Sequence, residues 1–175
     1  CLVGSEMCIR DRVRPPGELL HASQNRIREK RSLRSLGLPV ADFAEIHTET
    51  DVDAAGGIVP GPSIVKTAAS GYDGKGQRRV GGADELAVAW GKLDRQPCVV
   101  EQLVPFEREI SMVAARGLDG SVVSFDPFEN HHAEQILDVT RWPARVSSKT
   151  GAAAQEIARA VLTGFDVVGV VCVEM

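Results

Sequence analysis

Gly71-Tyr72-Asp73-Gly74-Lys75-Gly76-Gln77 carries more structural information than any other stretch of this chain. It follows Ser63-Ile64-Val65-Lys66-Thr67, a β-rich run with a lysine near its end. Glycines at 71, 74 and 76 give a backbone that takes φ > 0 and approaches a ligand closely. Successive exposed amides in such a loop form an anion-binding concavity, and Lys66 and Lys75 add positive charge. The stretch reads as a flexible phosphate-covering loop on a β-hairpin, and the chain as a nucleotide-using enzyme. It is not a Walker A loop, because Gly76 and Gln77 follow Lys75 where Ser or Thr is needed. Nor is it a dinucleotide fingerprint, because Arg78-Arg79-Val80 continues as a return strand and not as a helix. An ordinary hairpin turn has the same signature, since Asp73-Gly74 is a strong turn signal. The loop alone leaves both readings open.

The 175 residues are 43% hydrophobic and 25% charged, enough for one domain or two small lobes. A net charge of −4 and a pI of about 5.6 argue against a general nucleic-acid binder. The apolar run Val167–Val173 is too short to span a bilayer. Cysteines at 1, 8, 98 and 172 show neither Cys-x-x-Cys nor zinc spacing, which reads as a reducing cytoplasm without disulfides. Residues 1–12 have no clear period and resemble translated sequencing-adapter DNA, with a real terminal extension as the alternative. The last residues, Val173-Glu174-Met175, read as the interior of a strand, so the chain is expected to be a piece of a longer enzyme.

Working outward, Ser23 is expected to cap a helix running to about Leu36, with Gly37 as its stop. Its basic run, Arg26 to Arg34, reads for the most part as a solvated face. A short strand is expected near Phe43, and Asp51–Pro62, rich in Gly, Pro and Asp, reads as a boundary between lobes. Strand 63–67, the glycine loop, a return strand near 78–80, a helix from Asp84 to about Leu93 and a strand over 97–104 make a compact α+β unit. Trp90 belongs to its core by helical spacing. Beyond Pro105, strands are expected over Glu109–Arg116, Ser121–Phe125 and Glu134–Val139. A helix with the stripe Ala154, Ile157, Ala158, Val161 and Leu162 ends at Gly164. Val167–Val173 is then expected to be a central strand.

Glu101, Glu109, Glu129-Asn130-His131-His132 and Glu174 fall at strand ends or adjoining loops, where polar groups converge on clefts. Glu174 ends an apolar strand and fits a Mg²⁺ ligand, a hard cation that takes carboxylate oxygens beside substrate phosphates. A carboxylate emerging into solvent fits the same pattern. Neighbouring His131 and His132 point to opposite faces of a strand and do not chelate together. Cys98 and Cys172 read as buried small hydrophobes.

Several stretches occur together in a recognisable order: Gln24-Asn25-Arg26 before Glu29-Lys30, Gly37-Leu38-Pro39-Val40, Lys66-Thr67, Gly71 to Gln77, Glu101-Gln102-Leu103-Val104-Pro105-Phe106-Glu107-Arg108-Glu109, Glu129-Asn130-His131-His132, and Gly169 to Glu174. Over Gln24–Glu174 the chain resembles the 5-(carboxyamino)imidazole ribonucleotide synthases, ATP-grasp carbon–nitrogen ligases of purine biosynthesis. The resemblance implies an α+β ATP-grasp fold. Residues 13–60 would end a front subdomain, 61–105 would form the lid lobe, and 106–175 would form part of the second lobe. It implies that Arg26 and Lys66 contact ATP phosphates, and that Gly71, Tyr72, Asp73, Gly74, Lys75, Gly76 and Gln77 close over the triphosphate. Glu101, Gln102, Leu103 and Val104 would read adenine, largely through main-chain groups. Glu109 would hold the ribose hydroxyls, His132 would lie near the nucleotide, and Glu174 would bind Mg²⁺. Tyr72 and Asp73 would also face the imidazole ribonucleotide. No covalent nucleophile is implied.

In the implied reaction, ATP phosphorylates bicarbonate and the resulting carboxyphosphate carboxylates aminoimidazole ribonucleotide. The partners implied are these small molecules, with no nucleic acid and no membrane, in a cytoplasmic homodimer when full length. The family's front subdomain before Gln24, its second metal carboxylate and its downstream substrate-binding residues are not in the sequence, so the chain alone is expected to be inactive. Another ATP-grasp carboxylate–amine ligase, such as the formate-using ribonucleotide transformylase, and a non-catalytic nucleotide-binding module are the other readings.

Overall fold

The computed structural model describes residues 13–69, 76–134 and 136–175. Two antiparallel sheets, each backed by helices, organise them. The first holds β1 (Phe43–Ile46), β2 (Ser63–Thr67), β3 (Gln77–Val80) and β4 (Cys98–Gln102) in the order β1-β4-β2-β3. Alternation along these short strands gives the sheet two working faces. One face presents Ala44, Ile46, Val65, Val80, Cys98 and Val100 to helix α3 (Glu49–Ile58) and helix α4 (Leu86–Gly91), with Val52, Ala55, Leu86 and Trp90 filling the layer. The other presents Phe43 and Val99 to Ile27 of helix α2 (Arg26–Ser35). A short helix α1 (Gly17–Ser23) precedes α2.

The second sheet is built on β5 (Glu109–Arg116). One edge of β5 pairs with β7 (Phe128–Ala133) through residues 109–111 and with β6 (Val122–Ser124) through 114–116. The other edge pairs with β9 (Gly169–Glu174) over 111–116, and β8 (Ile136–Arg141) extends the sheet from β7. Helix α5 (Ser148–Gly164) lies on this sheet. Its stripe Ala154, Ala158 and Leu162 meets Met112 and Ala114, and the two alanines let helix and sheet approach closely.

Several local expectations change. The expected helix from Ser23 is two helices: Ser23 ends α1, and the cap of α2 is Asn25, whose Oδ1 accepts from the amides of Ile27 at 3.0 Å and Arg28 at 3.1 Å. Asp51–Pro62 is not a boundary, because most of it is α3. The Thr48/Asp51 capping box starts that helix, and burial of Val52, Ala55 and Val59 outweighs the low propensity of Gly56 and Gly57. Residues 13–60 thus contribute β1 and α3 to the same sheet and core as residues 61–105. The expected helix from Asp84 begins as a 3₁₀ turn, Ala83–Glu85, before α4. Glu129–His132, expected at a strand end or adjoining loop, lie within a strand, β7. Strand β9 sits at an edge of the described sheet and not at its centre, with Val170 62% exposed. Its alternate residues face outward, so Cys172 is exposed, whereas Cys98 is fully buried as expected. No helix among the described residues is long and apolar enough to cross a membrane.

Candidate nucleotide site

Lys66 is the fourth residue of β2 and pairs with Val99 on β4 and Gln77 on β3. Glu101 pairs with Ile64 and Phe43, which places it on the same sheet face as Lys66. That face lies under α2. The Glu101 carboxylate is nearly buried and accepts from Lys66 Nζ at 3.0 Å and from Lys30 Nζ at 3.2 Å, both on Oε2. A buried carboxylate requires such partners, since it has lost its water. Lys30 reaches the site from α2, one turn beyond Arg26. Arg26 holds the end of β2: its amide donates to the Ala68 carbonyl at 2.8 Å and its guanidinium to the Thr67 carbonyl at 2.8 Å. The C-terminal end of β2, from which the glycine loop departs, is thereby tied to α2.

The hairpin context of that loop is visible at both ends. The Thr67 amide donates to the Gly76 carbonyl at 2.9 Å, and β3 begins at Gln77 opposite Lys66. Gly71, Tyr72, Asp73, Gly74 and Lys75 lie outside the described residues. Along residues 101–104, the amides of Gln102 and Leu103 donate to the carbonyls of Asp42 at 2.9 Å and Pro62 at 3.0 Å. Among the described residues the Val104 amide has no such backbone acceptor.

The second wall comes from the other sheet. Glu109 opens β5 opposite Asn130 of β7, and Glu174 ends β9 opposite Ser111. Mutual backbone bonds of 2.9 and 2.8 Å between Ile110 and Met175 lock that end of β9 to β5. His132 Nδ1 lies 2.6 Å from Glu109 Oε2. His131 points away from it and lies 3.2 Å from Glu129 Oε1, so the two histidines face opposite sides as expected. A register shift on the β7–β8 ladder falls between them. Burial pushes the Glu129 carboxyl up, but the Arg145 amide, Arg108, His131 and Arg141 together hold it below the usual glutamate value.

Lys66, Glu101, Glu109, Asn130, His132 and Glu174 line one cleft of about 310 Å³. Five of the six are residues the sequence reading singled out; they come from β2, β4, β5, β7 and β9. Glu29, Lys30 and Glu174 line a second groove. Burial lifts the Glu29 carboxyl above its ordinary value, against Lys30 and Arg26, with Glu101 and Glu174 adding to the rise. The sequence alone gives no role to Lys30, and it names Asn130 among the cleft candidates without a role of its own. Lys30 was absorbed into the solvated basic run, although its i, i+4 spacing from Arg26 puts both on one face of α2. Chemically, the cleft holds the Lys66 ammonium, with Lys30 on the shared Glu101 carboxylate, together with the carboxylates Glu109 and Glu174. An ammonium suits phosphate oxygens; the two carboxylates suit hydroxyl donors and a hard divalent cation.

Known proteins share this arrangement of sheets. The chain is 38% identical to the N5-carboxyaminoimidazole ribonucleotide synthase of Brucella melitensis over 164 residues, 93% of this chain and 45% of that protein. The solved N5-carboxyaminoimidazole synthetase of Staphylococcus aureus, complexed with ADP, superposes with a TM-score of 0.87 at 32% identity, covering 96% of this chain and 44% of that one. The Aspergillus clavatus enzyme, in complex with ADP and 5-aminoimidazole ribonucleotide, superposes with a TM-score of 0.84 at 26% identity, covering 97% and 45%. The chain spans under half the length of the curated relatives it matches. The two sheets, the hairpin that carries the glycine loop and the cleft between them are the parts of an ATP-grasp domain, whose family model matches residues 31–175; the chain belongs to the ATP-grasp family.

Proposed function

We propose that this chain forms the nucleotide-gripping part of an ATP-dependent carbon–nitrogen ligase that carboxylates 5-aminoimidazole ribonucleotide with bicarbonate, a step of purine biosynthesis. The observation that carries the reading is the single cleft that gathers Lys66, Glu101, Glu109, His132 and Glu174 from five strands. Likeness to synthases solved with ADP supports ATP as the nucleotide.

In this reading Lys66 and Arg26 meet the phosphates, the Val104 amide and the neighbouring main chain meet adenine, and Glu109, steadied by His132, meets the ribose hydroxyls. Glu174 fits a magnesium ion. Its carboxylate stands exposed at the end of β9, and no three His, Cys, Asp or Glu side chains among the described residues form a metal cage of their own. The ion would therefore be shared with phosphate oxygens, where it neutralises charge. A bicarbonate oxygen attacks the γ-phosphorus and ADP leaves. The amine of the ribonucleotide then attacks the carboxyl carbon, phosphate leaves, and the amine loses a proton. The protein's share is positioning and charge neutralisation. The Gly71–Gln77 loop, with Tyr72 and Asp73 at its tip, would close over the site and keep water from the labile carboxyphosphate. A cytoplasmic homodimer completes the proposal.

The test is a chimera in which residues 24–174 replace the matching segment of the Brucella melitensis relative. ADP release from ATP, Mg²⁺ and bicarbonate should rise when aminoimidazole ribonucleotide is added, and Lys66→Ala should abolish the rise. A soluble chimera that binds ATP but ignores the ribonucleotide would reject this acceptor and favour another carboxylate–amine ligase. One that binds no ATP would reject the nucleotide site.

A further inference from the structure

The reading of the cleft as a nucleotide site leaves a problem at Lys66. Its ammonium lies 3.0 Å from the Glu101 carboxylate, which is itself nearly buried. A one-to-one ion pair of that kind is electrically neutral and holds little attraction for a phosphate. The structure supplies a second cation. Lys30 Nζ lies 3.2 Å from the same Oε2 atom, with its side chain 15% exposed. Two ammoniums sharing one carboxylate leave the group at +1. Lys30 is held for this purpose from outside the sheet: it projects from α2, and its ammonium lies 5.8 Å from the centre of the Phe43 ring. Phe43 is the β1 neighbour of Glu101, so ring, carboxylate and ammonium are set by one strand register.

We propose that Lys30 is a positioning and charge-balancing residue of the nucleotide site, occupying Glu101 so that Lys66 keeps its charge available for phosphate. Lys30 touches no phosphate in this assignment and acts through Glu101. The surrounding charges are Arg26, Glu29 and Arg34 on α2, the last with its guanidinium 4.1 Å from the centre of the Phe43 ring, and Glu174 on β9. Lys30→Met removes one unit of charge from the group, and Lys30 is also the first of the cations that counter the rise of the Glu29 carboxyl. The inference rests on the proposed nucleotide site and adds a residue and a function to it.

The two ideas separate in one experiment. Binding of ATP with Mg²⁺, and of adenosine, is measured by calorimetry on the full chain and its variants. Lys30→Met keeps an unbranched apolar side chain of similar reach and removes the charge. It should weaken ATP about tenfold, the effect of one partly screened unit charge at the distance of a neighbouring phosphate. Adenosine, which has no phosphate, should bind as before. The double variant Lys30→Met with Glu101→Gln restores +1 to the group, and ATP affinity should return to within about threefold of the starting value. A merely structural ion pair would give the opposite, a double variant at least as weak as the single. Lys30→Gln, checked by melting temperature, stands in if the Met variant does not fold. ATP binding unchanged in Lys30→Met, or no recovery in the double variant, overturns the inference while leaving the nucleotide site intact if Lys66→Ala still abolishes binding. A starting chain that binds no ATP overturns both.

Discussion

Two adjacent glycines on α3 should respond to the same substitution with opposite signs. Gly56 lies where α3 crosses the 3₁₀ turn Ala83–Glu85. A Cβ built there would fall 2.6 Å from the Ala83 Cβ, 3.5 Å from its Cα and 3.7 Å from Leu86 Cδ1. Two such carbons rest about 3.5–4.0 Å apart, so helix and turn must separate by about 1 Å. Neither contacting group at Ala83 can swing away, because one is backbone and the other is a methyl without a rotamer. Overpacking of this kind costs about 1–3 kcal/mol, more than the roughly 1 kcal/mol that alanine gains over glycine in a helix. At Gly57 a Cβ meets nothing within 4 Å. Only the gain remains there, about 0.4–1 kcal/mol, since alanine has fewer unfolded conformations to lose. Gly56→Ala should therefore melt below the parent chain and Gly57→Ala above it. A gap between them of about 2 kcal/mol corresponds to about 4–8 °C for a chain of this size. Thermal unfolding followed by circular dichroism reads the difference directly. A Gly56→Ala chain that melts at or above Gly57→Ala would refute the close approach of α3 to the Ala83 turn.

Two further outcomes follow from the titrating groups. Asp51 accepts from the amides of His47 and Thr48 and from the Thr48 hydroxyl, which hold its carboxyl below the ordinary aspartate value. A depressed folded pKa means the stabilisation is present above the unfolded value and is lost as pH falls through the folded one. The stability difference between the parent and Asp51→Asn should be largest at neutral pH and shrink below pH ~4; a constant difference in urea titrations across that range would exclude the ionised cap. Burial pushes the Cys98 thiol up to about 11, while Cys172 is exposed. Iodoacetamide at pH ~8 should label Cys172 and spare Cys98 in the folded chain, as read by peptide mass mapping; equal labelling would show that β4 is open to solvent.

Strand β5 and the stripe of α5 were legible because period 2 and period 3.6 are local signals, and both elements are half-buried along their length. The hairpin under the glycine loop was legible for the same reason. Helix α3 was not. Its Gly56 and Gly57 read as loop residues, and only packing against β1 and the Ala83 turn gives them a reason to be helical. Strand β9, expected to be central, lies at a sheet edge among the described residues, since a run of Val, Gly and Cys does not say whether a second strand covers its outer edge.

Residue by residue, the chain fixed by itself which chemistry was on hand: glycines and lysines around a hairpin, and carboxylates at or near strand termini. Those assignments rest on residue type and short-range spacing. Tertiary structure alone decided which of these residues meet. Lys66, Glu109, His132 and Glu174 share a cleft because β2 belongs to one sheet and β5, β7 and β9 to the other, and no local pattern encodes the distance between two sheets. Lys30 shows the same limit most plainly. In sequence it is one cation among five on a basic helix, and it becomes part of the site only because α2 lies across the face that carries Glu101. Long-range packing converted a solvated-looking charge into one held by a buried carboxylate.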